Sequence, residues 1–320
     1  MSKTSTELQY RLLKLMFTIL SAIPASLFTK LAFPIGRLWY VIDSRHRNIA
    51  FNNMRMAFGG KKTPAEIRNL IKANFVQLAR VALELPSLMK LNHRNVDAFV
   101  TAEGLHHLRE AHAAKAGVIV LSAHFGNWEL MVRSWPFLTG HPCNGVVRSL
   151  DYEPMERLQA EIRGATGAQL VDKTEAKTVV VELLQNNELV GILLDQAASW
   201  YEGVFVPFFG QIACTNKGLA TLALLLNTVV LPVFTFRQPD GRYKTVISKP
   251  VPTIRTGDFE KDILLNTEQY TREIEKNIRL APDHWFWVHR RWRIIDIPDK
   301  HKHKLEDAEA YYRSLGKLKS

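Results

Sequence analysis

Four consecutive apolar residues, Val118-Ile119-Val120-Leu121, follow Gly117 and run straight into residues on which a helix can start. A run this short, largely β-branched and without a polar break reads as a strand buried on both faces, the pattern of a parallel sheet covered by helices. The chain then repeats the theme. A helix begins near Trp128, Val146-Val147 is a second short strand, and Pro154 to Ile162 is helical, stopping at Gly164 or Gly167. Thr174 caps a helix through Leu184, Val190 to Leu194 is a buried strand ending at Asp195, Leu219 to Leu226 is helical, and Val229 to Phe236 is a strand. Strands alternating with helices predict an α/β domain with a mostly parallel sheet flanked by helices. In such sheets ligands bind at the carboxyl ends of the strands.

Upstream of the alternation the chain reads as helical. Thr63-Pro64-Ala65-Glu66 is a helix start with a capping threonine, a proline at the first helical position and a glutamate placed to close a capping box. Ile67, Leu70, Ile71, Phe75, Leu78, Val81 and Leu85 recur behind it at helical spacing. The organisation expected is an N-terminal membrane anchor over 1–43, then a single domain over 44–320. That domain divides into a helical layer over 44–100, an α/β catalytic core over 101–298 and a peripheral basic tail over 299–320.

From Leu12 to Ile42 the chain is mostly apolar, interrupted by Lys14, Pro24, Lys30, Pro34 and Arg37. It lacks the small-residue cleavage site of a signal peptide. Leu15 to Leu31 approaches the roughly 20 apolar residues that a bilayer core takes, so a tilted span, a monotopic anchor and a buried core helix are all compatible with it. Basic residues flank it on both sides, which leaves its orientation undetermined by charge.

Lysine and arginine total 42 against 31 acidic residues, a formal charge of +11. Such a balance favours anionic partners: an anionic lipid, an acidic carrier protein or a nucleic acid. The two cysteines, Cys143 and Cys214, are far apart and form no C-x-x-C, so neither a disulfide framework nor a zinc site is indicated.

Chemistry concentrates directly after the first core strand, in Ser122-Ala123-His124-Phe125-Gly126-Asn127-Trp128-Glu129. Histidine and glutamate five positions apart fall on different faces of one continuous helix, so a turn has to intervene. Gly126 permits it and Asn127 is a good N-cap, which places Glu129 in the first helical turn with His124 at the strand end. A carboxylate at a helix N-terminus stays ionised, and there it is expected to orient the imidazole while His124 acts as a base. No G-x-S-x-G provides a serine nucleophile, so the group for the base to activate is an external hydroxyl attacking an acyl carbonyl. On spacing alone, a core histidine and an ordinary first-turn acid fit equally well.

The string LSAHFGNWEL, with its H-x4-E, resembles the H-x4-D/E motif of glycerolipid acyltransferases, specifically the bacterial lipid A biosynthesis acyltransferases of lauroyl/myristoyl type. Other blocks agree in order and spacing: RHRNIAFNNMRMAF and NFVQLARVALE before it, then VGILLDQ, GVFVPFFG, CTNKGLATLA, VVLPVF and HWFWVHRRW, so the likeness runs from Arg45 to Trp292. This resemblance implies transfer of a fatty acyl chain from acyl-acyl carrier protein to a lipid A precursor or related glycolipid, at the cytoplasmic face of a bacterial inner membrane. It implies no metal or redox cofactor, the carrier serving as co-substrate, and no nucleic acid. It also implies His124 as general base with Glu129 as its partner, and Arg148 and Asp195 as substrate-binding residues. Two departures from the family pattern bear on the acceptor: Val147-Arg148-Ser149 stands where aromatic-Arg-Pro is usual, and Ser199 where glycine is usual.

His284 to Arg293 interleaves aromatic and cationic residues, a composition that suits a membrane interface or stacking on bases, and equally a partly buried segment with a basic edge. His106, His107, Glu110 and His112 match no metal-ligand spacing and read as a solvated helix face. Two rival functions remain at this level: a thioesterase or esterase using the same His124 and Glu129 on water, and a non-catalytic basic protein that binds anionic lipid or nucleic acid.

Overall fold

The computed structural model describes residues 3–142, 144–147, 150–164, 170–172, 176–294 and 297–319. In chain order its helices are α1 (Lys3–Leu20), α2 (Ala25–Ile42), α3 (Ser44–Phe58), α4 (Pro64–Glu84), α5 (Leu105–Ala113), α6 (Trp128–Thr139), α7 (Glu153–Gly164), α8 (Ala176–Gln185), α9 (Gly218–Leu226), α10 (Phe259–Leu280) and α11 (His303–Ser314). The strands are β1 (Val100–Glu103), β2 (Val118–Ser122), β3 (Asn144–Val147), β4 (Leu170–Asp172), β5 (Leu189–Leu193), β6 (Gly203–Phe208), β7 (Gln211–Asn216), β8 (Val229–Arg237) and β9 (Tyr243–Ile247).

Seven strands form one sheet in the order β1-β9-β8-β2-β5-β3-β4. Every neighbouring pair is parallel except β8 with β9. The apolar run of β2 sits at the centre with all five residues buried. Ile119 and Leu121 pack on one side with Val190, Val230 and Phe234, while Val118 and Val120 face Leu108, Met131, Trp135 and Leu231 on the other. Burial on both faces is why this strand carries no alternation. Strands β6 and β7 form a separate antiparallel hairpin.

The capping box at Thr63 forms as expected: Thr63 Oγ1 accepts from the Glu66 N–H, and the Glu66 carboxylate accepts from the Thr63 N–H at 2.7 Å. Asn127 likewise caps α6, its Oδ1 accepting from the Leu130 N–H at 2.9 Å. The Thr174 cap lies outside the described residues.

Residues 3–42 form α1 and α2, each of which packs against the domain. α2 lies so close on α4 that a Cβ at Gly36 would meet Val76 Cα at 2.5 Å. α1 meets α7 through Arg157 Nη1, which donates to Glu7 Oε2 at 2.6 Å, and through Lys14 with Glu161 at 2.9 Å. Their outer sides expose Leu8, Leu12, Leu15 and Ile19 on α1 and Leu27, Leu31, Leu38 and Ile42 on α2. No helix among the described residues is long and apolar enough to cross a membrane.

The tail is less peripheral than its composition suggests. Tyr312 of α11 is fully buried, and Lys319 Nζ donates to the carbonyls of Met56 and Ala57 at 2.6 and 2.7 Å, closing the C-terminal end of α3. A cation placed on the last carbonyls of a helix satisfies groups that no backbone N–H reaches.

Candidate active site

The centre of the sheet brings the two site residues of its carboxyl edge together. Strands β2 and β5 pair in parallel with Ser122 opposite Leu193, and the Leu194 N–H donates to the Ser122 carbonyl at 3.0 Å. Two residues further along the same register, His124 faces Asp195. His124 Nδ1 lies 2.9 Å from Asp195 Oδ1, and the His124 backbone N–H donates to Asp195 Oδ2 at 3.1 Å. Trp285 Nε1 donates to the same Oδ2 at 2.8 Å.

Three hydrogen bonds therefore hold a carboxylate that is only 3% exposed. Burial alone would raise the Asp195 pKa; the imidazole beside it and the hydrogen bonds from His124 and Trp285 outweigh that and hold it below the usual carboxylate range. The converse holds at His124. Burial opposes the charged ring, yet the Asp195 carboxylate, with a further contribution from Glu129, keeps its pKa above the ordinary histidine value. An ionised Asp195 places the neutral ring's proton on Nδ1, so Nε2 offers its lone pair. The rings of Trp128 and Phe286 wall the imidazole at 5.4 and 6.0 Å between centroids.

The turn after His124 is as tight as its glycine suggests. Gly126 has φ +62°, and a Cβ there would sit 1.7 Å from the Thr235 carbonyl oxygen. Asn127, besides capping α6, donates from Nδ2 to Glu84 Oε2 at 2.8 Å. Glu84 is itself held by the Tyr243 hydroxyl at 2.7 Å and by Arg237 Nη1 at 3.0 Å, and Arg237 Nη2 reaches Thr29 of α2 at 3.0 Å. A paired charge network thus ties the motif's cap to α2.

Glu129 sits in the first turn of α6 as expected, but its carboxylate points elsewhere. Arg163 of α7 grips both oxygens, Nε to Oε2 at 3.0 Å and Nη2 to Oε1 at 2.6 Å. The hydrogen bond that orients His124 comes from Asp195 instead. The difference is one of geometry: the helix carries Glu129 toward α7, whereas the sheet register delivers Asp195 to the ring. Glu129 and Arg163 remain close enough for their charges to act on the imidazole, in opposite directions. Arg148 lies outside the described residues.

Sequence reading missed the part played by the segment from His284 to Arg291. Of the readings open for it, the partly buried segment with a basic edge is the one seen: Trp285, Trp287 and Arg291 are each at most 1% exposed, while Arg290 is exposed. The Phe286 N–H donates to the His124 carbonyl at 3.0 Å, and Arg291 Nη1 donates to the carbonyls of Gln196 at 3.3 Å and Cys214 at 2.7 Å. Asn74 of α4 and Asn53 of α3 hold the segment from behind, donating to the Trp285 carbonyl at 2.6 Å and the His289 carbonyl at 2.6 Å. The signal available in sequence was the density of large aromatics around one arginine, which suits a buried clamp as well as a surface.

The side chains nearest in kind to nucleophiles are occupied. Ser122 is buried and its Oγ donates to the Val233 carbonyl at 2.6 Å. Cys214 is 2% exposed, and burial pushes its thiol up to about 11, far from a reactive thiolate. Among the described residues no group of three or more histidine, cysteine, aspartate or glutamate side chains is placed to hold a metal ion. The arrangement places an imidazole, held and tuned by a buried carboxylate, at the carboxyl end of the central strand.

Residues 2–294 match the family of bacterial lipid A biosynthesis acyltransferases. The chain belongs to that family. It is therefore an acyltransferase, an enzyme that transfers acyl groups. It is 25% identical over 273 residues to the lipid A biosynthesis lauroyltransferase of Escherichia coli, covering 85% of this chain and 87% of that protein. The E. coli lipid A biosynthesis palmitoleoyltransferase is 25% identical over 82% of this chain and 84% of its own length. The phosphatidylinositol mannoside acyltransferase of Mycolicibacterium smegmatis is 25% identical over 76% of this chain and 79% of its own length. The names of these relatives of the acyltransferase thus place two in lipid A biosynthesis and one on a phosphatidylinositol mannoside.

Proposed function

We propose that this acyltransferase moves a fatty acyl chain from acyl-acyl carrier protein to a hydroxyl of a lipid A precursor or related glycolipid, at the cytoplasmic face of a bacterial inner membrane. The observation that carries the reading is the His124–Asp195 pair at the carboxyl end of the central strand.

In the proposed reaction His124 Nε2 takes the proton of the acceptor hydroxyl as its oxygen bonds to the thioester carbonyl carbon. The tetrahedral oxyanion collapses, the carbon–sulfur bond breaks, and the imidazolium returns its proton to the leaving thiolate. Asp195 stabilises the imidazolium between the two transfers, and general-base assistance of this kind contributes roughly 10²- to 10⁴-fold in rate. Glu129 serves at one remove in this scheme, holding Arg163 beside the base. Arg148 is assigned to the substrate by family resemblance alone, as the cation for a phosphate or the oxyanion.

Three features support the donor, the acceptor and the site of action. The relatives' names give acceptors that are glycolipids. A formal charge of +11 attracts both an acidic carrier and an anionic lipid. Twelve of the 21 large hydrophobic side chains exposed among the described residues lie between Leu8 and Ile42, an apolar face fit to enter the headgroup boundary of one leaflet. The test is a mass measurement on lipid products after incubating the enzyme with acyl-acyl carrier protein and a lipid A precursor. A product heavier by one acyl chain supports the reading, and release of free fatty acid in its place would make the enzyme a thioesterase.

A further inference from the structure

Positive charge is spread unevenly along the chain. Between Ser44 and Lys72 seven lysines and arginines stand against one carboxylate, Glu66, so these 29 residues carry six of the eleven net positive charges. Glu66 is spent on the capping box of α4, and the neighbouring Asp43 on His46 and the Trp39 indole. Among the described residues none of the seven cations closes an ion pair with a carboxylate.

The fold brings this stretch to the surface on two adjoining helices. On α3, Arg45, Asn48, Asn52 and Arg55 recur at spacings of three and four residues and are exposed, opposite the side that buries Ala50, Met54 and Ala57. Lys61 follows in the turn and Arg68 on α4, both exposed. Away from the turn the helices meet over Tyr40 of α2, whose ring has Arg47 of α3 at 5.4 Å and Lys72 of α4 at 5.9 Å. Arg47 is occupied there, its Nη1 donating to the carbonyls of Tyr40 and Val41 at 2.7 and 2.8 Å. The exposed cations Arg45, Arg55, Lys61 and Arg68 make no side-chain hydrogen bond among the described residues.

What this surface lacks points to its partner. The exposed apolar side chains of α2 end at Ile42, and from there to Leu150 no large hydrophobic side chain is exposed among the described residues. A helix that enters a leaflet presents an apolar side. α3 presents cations and amides instead, the complement of a soluble acidic surface. Its position suits the delivery of a donor. Asn53, on the inner side of α3, donates from Nδ2 to the carbonyls of Trp287 and His289 at 2.7 and 2.6 Å, and the same loop reaches the His124 carbonyl through the Phe286 N–H at 3.0 Å. A protein docked on α3 stands one helix, about 10 Å across, from the loop that lies on His124.

We infer that the outer side of α3, with the start of α4, is the docking surface for the acidic acyl carrier protein that brings the thioester. The inference rests on the donor proposed above. The triple variant Arg45→Glu/Arg55→Glu/Arg68→Glu is compared with wild type and with Arg94→Glu/Arg109→Glu/Lys261→Glu, which changes net charge equally at exposed cations elsewhere. Each is assayed for transfer to a lipid A precursor from acyl-acyl carrier protein and from acyl-pantetheine, which has the thioester but no protein. Thermal unfolding and flotation on anionic vesicles are measured alongside.

The α3–α4 variant should raise KM for acyl-acyl carrier protein by about tenfold or more, with kcat and the acyl-pantetheine rate little changed, because charges of this kind act on encounter and not on the chemical step. The control variant should keep KM within about threefold of wild type. In wild type the KM for the carrier should climb with ionic strength while kcat/KM for acyl-pantetheine stays flat. Equal KM values in the two variants would overturn the inference. So would a KM for the carrier that ignores salt in wild type, a measurement for which no variant has to fold. Loss of flotation in the α3–α4 variant with KM unchanged would assign the surface to anionic lipid and overturn it too. A wild type that transfers from neither donor sinks the underlying reading; transfer from the carrier that is indifferent to α3 sinks this inference alone.

Discussion

The base proposed at His124 works only while it is unprotonated, and the surroundings of the ring decide when that is. Its pKa is raised, because the Asp195 carboxylate outweighs the effect of burial. The protonated, inactive ring therefore persists above the ordinary value near about 6.5, and kcat/KM is expected to rise with pH through a limb lying above it. Asp195→Asn removes the charge that raises the pKa and leaves burial in control. The limb should then move to lower pH, with the plateau rate down by roughly 10²- to 10⁴-fold; a limb that stays in place would mean that Asp195 does not tune the base. Gly126→Ala should abolish activity along with the turn, since a Cβ at φ +62° is driven onto the Thr235 carbonyl. The turn at Gly126 and the cap at Asn127 were legible at this scale because both are local. The pairing of His124 with Asp195 was not, since residues 71 apart meet only through the register of two parallel strands.

Elements were read where one period dominates. β2, β5 and β8 are continuous apolar runs, and α4 and α6 have caps whose hydrogen bonds are present as their sequences suggest. The β6–β7 hairpin escaped because both strands mix buried and partly buried residues and join through a two-residue turn, Phe209-Gly210, with both φ positive, in which Phe stands where Asn or Asp would give the usual sequence signal. The clamp from His284 to Arg291 escaped because buried aromatics around an arginine have the composition of an interface. Contact between α2 and α4 depends on Gly36, where any side chain meets the backbone of Val76. Gly36→Val should therefore lower the unfolding midpoint and detach the Thr29 to Arg237 hydrogen bond that links α2 to the buried network behind Asn127. Circular dichroism melts check the first effect. An unchanged midpoint would show that α2 is not held by this contact.

At the scale of the whole molecule, exposed apolar side chains concentrate on α1 and α2 and the chain as a whole carries excess positive charge. α1 and α2 rest on the domain with one side and expose leucines with the other, an arrangement suited to lying in a leaflet. Each leucine buried on binding contributes about 1.5 kcal/mol or more. Replacing Leu12 and Leu38 together by serine should therefore weaken binding to anionic vesicles by on the order of 10²-fold, measured by flotation, while leaving the fold intact. Equal binding by the variant would remove the stripe from the account. The central claim is that His124 draws the proton from a lipid hydroxyl so that the acyl chain passes directly to it. Its most direct test is the mass of the lipid formed from acyl-acyl carrier protein and a lipid A precursor by wild type and by His124→Ala at matched folded concentration. The account requires a gain of one acyl chain with wild type and a loss of that product with the variant; transfer by His124→Ala at the wild-type rate would contradict it.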